Sequence, residues 1–126
     1  MTDRFSVDFN TYVATSMQFV VMEADGVGSG GRGADLAAAV RGALGGPEVA
    51  DQVAAARYAA GELPYVDSRR LAVSGVSYGG YVAARVMSDR DATRVKGEED
   101  RDGVGEPLFK CGVAVSPVVD WRFYGE

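Results

Sequence analysis

Apolar positions along this chain fall into short blocks of two kinds. Gln18 to Ala24 (Gln-Phe-Val-Val-Met-Glu-Ala), Arg70 to Ser74 and Cys111-Gly112-Val113-Ala114-Val115 are short, mostly apolar runs bounded by turn residues. Such runs read as buried strands. The other blocks have helical character. Phe9 to Ala14 fits a short helix, and Asp35 to Leu44 is alanine-rich and closed by Gly45-Gly46. Pro47 suits the first position of a further helix reaching about Ala60, with Val49, Val53, Ala56 and Ala60 on one face. Glu62-Leu63-Pro64 ends it, and Val66-Asp67-Ser68 reads as a turn. Tyr78 to Ser88 fits another helix.

The order strand, helices, strand, helix, strand predicts an α/β chain with a parallel sheet and flanking helices. Three parallel strands are half a sheet, and the last of them lies close to Glu126. The pattern therefore reads as the middle of a domain. Its unpaired strand edge predicts that residues 1–126 alone fold poorly. Two stretches stand apart. Asp25 to Gly33 is glycine-rich and predicts a loop. Asp89 to Pro107 alternates acids, bases and glycines with almost nothing apolar, which predicts an exposed, mobile loop. No internal repeat is visible.

Composition narrows the function classes. With 126 residues there is room for one small domain, and 47% hydrophobic residues suffice for a core. A net charge of −5 gives nucleic-acid binding no support. No apolar run approaches the ~18 residues of a membrane span. Met1-Thr2-Asp3-Arg4 lacks the apolar stretch expected of a signal peptide. The compartment stays open. Cys111 is the single cysteine, so it is either a buried thiol or half of a bridge with a partner elsewhere. The tendency of free cysteine to be buried favours the thiol.

The candidate chemistry lies after the Leu71-Ala72-Val73 run. Gly75-Val76-Ser77-Tyr78-Gly79-Gly80 fits G-x-S-x-G between a strand and a helix. A strand turning sharply into a helix needs small neighbours two positions either side of a strained serine, here Gly75 and Gly79. Ser77 would stand exposed above the sheet, with N–H groups of the helix's first turn around it to stabilise an oxyanion. The chain has 17 glycines, so a bare match carries modest weight; the strand before and helix after it strengthen it. The bland alternative is a tight turn in which Ser77 only caps the helix. Against catalysis stands the absence of histidine, the usual base for a serine nucleophile. Asp67 and Asp120 could orient a histidine, but the chain has none to orient.

Gly26-Val27-Gly28-Ser29-Gly30-Gly31 fits G-x-G-x-x-G and raises a dinucleotide-binding alternative. The acid required about 20 residues on would be Glu48 or Asp51. Both lie at a helix start instead of a strand end, and Asp25 puts an anion where a phosphate must approach. No Cys/His cluster has metal-ligand spacing, so no metal and no cofactor is expected.

Several blocks in one order resemble the prolyl oligopeptidase family, in its dipeptidyl peptidase IV branch. Gly75 to Tyr81 resembles G-W-S-Y-G-G-Y, and Asp25 to Gly30 resembles D-G-R-G-S-G. Glu48 to Arg57 is similar to E-V-E-D-Q-I-E-A-A-R, and Val66 to Ala72 to V-D-N-K-R-I-A. Phe109 to Val118 resembles F-K-C-G-I-A-V-A-P-V, followed by Trp121 and Tyr124 at matching places. The departures are Val76 for a tryptophan, Val27 for an arginine, and a longer stretch from Asp89 to Pro107.

The resemblance implies part of an α/β-hydrolase domain of a serine peptidase. Ser77 would be the nucleophile, and the backbone N–H of Tyr78 half of the oxyanion hole. Val118, Trp121 and Tyr124 would wall a pocket for a proline or alanine side chain; without the resemblance, the two aromatics read as core packing. Peptides would be the substrates, cleaved through an acyl-enzyme. The triad Asp and His would follow Glu126, so residues 1–126 alone are expected to be inactive. The resemblance also implies that Cys111 pairs with a cysteine near the C-terminus, and that full-length relatives are often homodimers and often membrane-anchored. A non-catalytic interaction protein on the same fold is the other expectation.

Overall fold

The computed structural model describes residues 5–89, 94–99 and 105–124. Its elements run α1 (Phe9–Ser16), α2 (Ala34–Ala38), α3 (Pro47–Glu62), β1 (Ala72–Val76), α4 (Tyr78–Ser88), β2 (Arg94–Glu99), β3 (Gly105–Pro107) and β4 (Cys111–Val115), then a 3-10 turn at Trp121–Phe123. Local chemistry explains the helix starts. The Asp8 carboxylate accepts from the Thr11 N–H at 3.1 Å while Thr11 Oγ1 accepts from the Asp8 N–H at 3.3 Å, a reciprocal cap for α1. Pro47 opens α3, where its missing N–H costs nothing.

β1 and β4 pair in parallel, with Ala72 opposite Cys111 and Val76 opposite Val115. α4 connects from the end of β1 and packs on both strands. The core gathers Val49, Val53 and Ala56 of α3, Val86 of α4, and Leu108 and Phe109 just before β4. Ala60, Leu71, Val73 and Val82 pack against it. The helical face expected of α3 is thus the one that is buried.

Several expectations are corrected. Residues 18–24 form no strand, and Phe19 and Val20 are 53% and 61% exposed. A strand exists only through a partner that takes its N–H and C=O groups. Among the described residues no strand lies beside this run; the Ala24 carbonyl accepts from the Gln52 side chain instead, at 2.9 Å. The sheet is therefore two parallel strands. α2 stops after five residues, and tight turns, with i→i+3 bonds such as Ala43 N–H to the Val40 carbonyl, continue to Leu44. Its alanines bury nothing, and a short helix without a buried face is not held. β1 begins two residues later than expected. β4 is a strand as expected, yet all five of its residues are exposed, so among the described residues Cys111 is not the buried thiol expected from composition. β4 pairs with β1 on one edge only, and one face of the ladder is bare.

The stretch expected to be a loop holds β2 and β3, which pair antiparallel with an irregular register between Arg94 and Glu99. β-branched or apolar content is thus not required for local pairing once two segments are adjacent. Residues 90–93 and 100–104 of that stretch lie outside the described residues.

Candidate active site

The turn from β1 into α4 is set by close backbone approach. A Cβ on Gly75 would overlap the Gly79 carbonyl, so only glycine fits there. Gly79 itself has open space where a Cβ would stand, which corrects the expectation that both glycines are needed for room. The second tight position is Gly80, whose Cβ would meet the Val115 carbonyl at 3.0 Å and the Pro117 Cα at 3.2 Å. Glycines at 75 and 80 therefore let helix, β1 and the end of β4 meet at one point.

Ser77 sits at that point with φ +56° and ψ −116°, a left-handed conformation that non-glycine residues rarely adopt. Its N–H donates to the Val115 carbonyl at 2.9 Å, and its own carbonyl accepts from the Tyr81 N–H at 3.1 Å. Ser77 occupies the N-cap position of α4, yet its side chain makes no capping hydrogen bond. The capping alternative therefore loses its support. The residue is exposed and stands at the positive end of an 11-residue helix whose first N–H groups have no intrahelical acceptor. This is the strained turn that strand-to-helix geometry forces on a serine elbow.

Tyr78 follows, and its side chain was not anticipated. Its hydroxyl donates to Oε1 of Glu48, the same oxygen that accepts from the Gly45 N–H. Glu48 is 7% exposed. Burial alone would push its carboxyl up, but the hydrogen bonds from Tyr78, Gly45 and the neighbouring backbone outweigh it and hold the carboxyl below its ordinary value. Burial, then the Glu48 bond, pushes the Tyr78 phenol well above its ordinary value of 10.0. At neutral pH the pair is an ionised acceptor and a neutral donor.

An aromatic group surrounds this pair. The Tyr78 ring lies 5.7 Å from Tyr81 and 6.2 Å from Trp121. Trp121 stacks edge-on to Tyr81 at 5.1 Å and to Tyr124 at 5.6 Å. The structure thus joins Tyr78, the residue after Ser77, to Trp121 and Tyr124 in one ring cluster. Val118 is buried in the segment between β4 and the 3-10 turn. Asp120 accepts from the Arg122 backbone and side chain, and Asp67 from the Arg69 N–H and Arg70 Nε, so both carboxylates are engaged in local turns.

The glycine loop has a structural task. Asp51 Oδ2 accepts from the Val27 N–H at 2.8 Å, and Gln52 holds the Ala24 carbonyl. The carboxylate occupies one of the amides that a pyrophosphate would need, no strand precedes the loop, and the helix after it has five residues. The dinucleotide alternative therefore has no geometric basis. Among the described residues no group of three or more His, Cys, Asp or Glu residues could hold a metal ion, and no helix is long and apolar enough to cross a membrane.

Glu48 and Tyr81 are the site neighbours that motif reasoning passed over. The motifs offer Glu48 only as a possible ribose acid and as part of the family-like block. Its place beside a proline at a helix start gives it an ordinary reason to exist, so the sequence offers no separate sign of a bond to Tyr78.

A parallel ladder, a tight serine turn and a helix pointing its positive end at that serine define this chain as part of an α/β-hydrolase fold. The family follows from comparison. The chain belongs to the prolyl oligopeptidase family, whose model matches residues 5–94. A probable dipeptidyl-aminopeptidase B of Grosmannia clavigera is 43% identical over 124 residues, 98% of this chain and 11% of that protein. The namesake in Penicillium rubens is 41% identical over 96% of this chain and 12% of its own length. A crystal structure of Porphyromonas gingivalis dipeptidyl peptidase 4 superposes with a TM-score of 0.68 at 38% identity, covering 96% of this chain and 15% of that one. The chain thus spans 11–12% of the length of these curated relatives.

Proposed function

We propose that the chain is the nucleophile-bearing portion of a serine peptidase of the dipeptidyl peptidase type. The observation that carries this is Ser77, exposed and left-handed at the head of α4 with no capping bond to occupy it. In the reaction, Ser77 Oγ attacks the carbonyl carbon of the bond after a peptide's penultimate residue as its proton passes to a general base. The carbonyl oxygen becomes an oxyanion that accepts from the Tyr78 N–H. The amine leaves with a proton, and water cleaves the acyl-enzyme to restore the serine. Val118, Trp121 and Tyr124 bound the pocket for the residue before the scissile bond; the ring contacts joining Tyr78, Trp121 and Tyr124 support that role.

Residues 1–126 contain no histidine, so on this reading a histidine base would have to come from sequence outside them. The chain on its own is expected to show no turnover. The test uses the full-length protein with a dipeptide anilide and a fluorophosphonate probe. Ser77→Ala should abolish labelling and lower kcat by about 10,000-fold or more. Undiminished turnover in Ser77→Ala would sink the reading. A non-catalytic interaction protein predicts no labelling of Ser77 in the unmodified protein.

A further inference from the structure

We propose that Glu48 is a positioning residue of the Ser77 site, whose buried carboxylate fixes Tyr78 and thereby the backbone N–H next to the nucleophile. This deepens the peptidase reading and rests on it. The peptide between Ser77 and Tyr78 is flanked by an anchor on each residue. On one side the Ser77 N–H donates to the Val115 carbonyl. On the other the Tyr78 hydroxyl donates to Glu48 Oε1, which also takes the Gly45 N–H. Gly45 is itself tied to the site, since a Cβ there would overlap the Tyr81 hydroxyl, and its φ of +84° suits glycine. One carboxylate oxygen thus joins the loop before α3 to the first residue of α4.

The Glu48 bonds favour the ionised over the protonated carboxyl, but that does not explain why a carboxylate and not an apolar side chain stands here. Its second oxygen, Oε2, is buried with no hydrogen-bond partner among the described residues. A buried charge so incompletely satisfied is generally a worse stabiliser than an apolar side chain of the same size. What an ionised acceptor offers is a directional, charge-assisted bond about twice as strong as a neutral one. That bond holds the Tyr78 ring in one orientation between Tyr81 and Trp121. An oxyanion donor must be placed to within about 0.5 Å, so anchoring the residue that bears it serves the transition state more than substrate binding.

The experiment uses the full-length protein, with kcat expressed per Ser77 titrated by a fluorophosphonate so that loss of folded protein is divided out. Glu48→Leu should lower kcat per titrated site about tenfold, with KM changed by less than about twofold. Glu48→Gln keeps an acceptor oxygen and should recover to within about threefold of the parent. Tyr78→Phe should match Glu48→Leu, and the double variant should be no slower than the slower single one, because both remove the same contact. A merely structural Glu48 would reduce the titrated fraction and leave kcat per site within about twofold of the parent, which overturns the proposal. Multiplying effects in the double variant would overturn it as well. If Glu48→Leu does not accumulate, Tyr78→Phe decides by the same thresholds. A parent that is neither labelled nor active overturns the peptidase reading and this inference together; an active parent indifferent to Glu48→Leu overturns this inference alone.

Discussion

The two faces of the β1–β4 ladder are built from different residues. Side chains alternate along each strand, so Val73, Gly75, Gly112 and Ala114 share the face toward α4, where a Cβ on Gly112 would press on Met87. Ala72, Ser74, Val76, Cys111, Val113 and Val115 share the other face. Three of the four valines of the ladder are on that bare side, Val76 being 66% and Val113 55% exposed, and only Val73 is on the helix side. The helix side holds the smaller groups. Bulk alone therefore does not mark the side that matters here. Where α4 must meet the strands closely enough to bend Ser77 into its turn, the strands give up side-chain volume for backbone proximity.

Adding a single carbon at the tightest point should break the contrast most severely. Gly75→Ala places a Cβ against the Gly79 backbone, which cannot move as a flexible side chain could. It should destabilise the protein by more than about 3 kcal/mol, or prevent folding, as judged by urea unfolding and soluble yield. A stable Gly75→Ala protein would show that α4 does not approach β1 as described.

Opening a cavity on the same side comes next. Val86 is 0% exposed in the core between α3 and α4. Val86→Ala should cost about 2 kcal/mol in a urea midpoint shift at unchanged slope.

A smaller effect follows from charge. The folded chain holds the Glu48 carboxyl below its ordinary 4.5, so as pH falls the unfolded chain takes up that proton first. The associated stability is fully present above 4.5 and is lost as pH falls through the folded value. Urea titrations on a pH series should show the parent losing more stability below 4.5 than Glu48→Gln does. Parallel curves would show that the carboxylate is not held by Tyr78 and Gly45.

The bare face supplies the smallest effect. Val113→Thr should change stability by less than about 0.5 kcal/mol. A cost of about 1 kcal/mol or more would mean that this face is covered in solution.

How much was legible in the sequence depended on how far away the deciding partner lay. α4 runs from Tyr78 to Ser88 as expected, and α3 extends two residues past its expected end. Proline, glycine and the spacing of Val49, Val53 and Ala56 act within one or two turns of helix. The serine elbow was readable for the same reason, since Gly75 meets the Gly79 backbone four residues on, with Ser77 between them. Gln18 to Ala24 was misread because apolar content cannot say whether another strand stands beside it. The buried thiol expected at Cys111 from composition failed because burial depends on what covers a strand, and nothing among the described residues covers that face. Glu48 went unnoticed because its significance lies in a bond to Tyr78, 30 residues on.

By itself, the sequence determined where α1, α3 and α4 begin, the turn chemistry and the position of a serine between a strand and a helix. These follow from dihedral preferences and side-chain volume over a few neighbouring residues. The tertiary structure alone decided which apolar runs pair, which face of the ladder is packed, and that a buried carboxylate meets the residue after Ser77. Those outcomes depend on hydrogen-bond partners and on water removed by groups distant in the chain, and no local pattern encodes either.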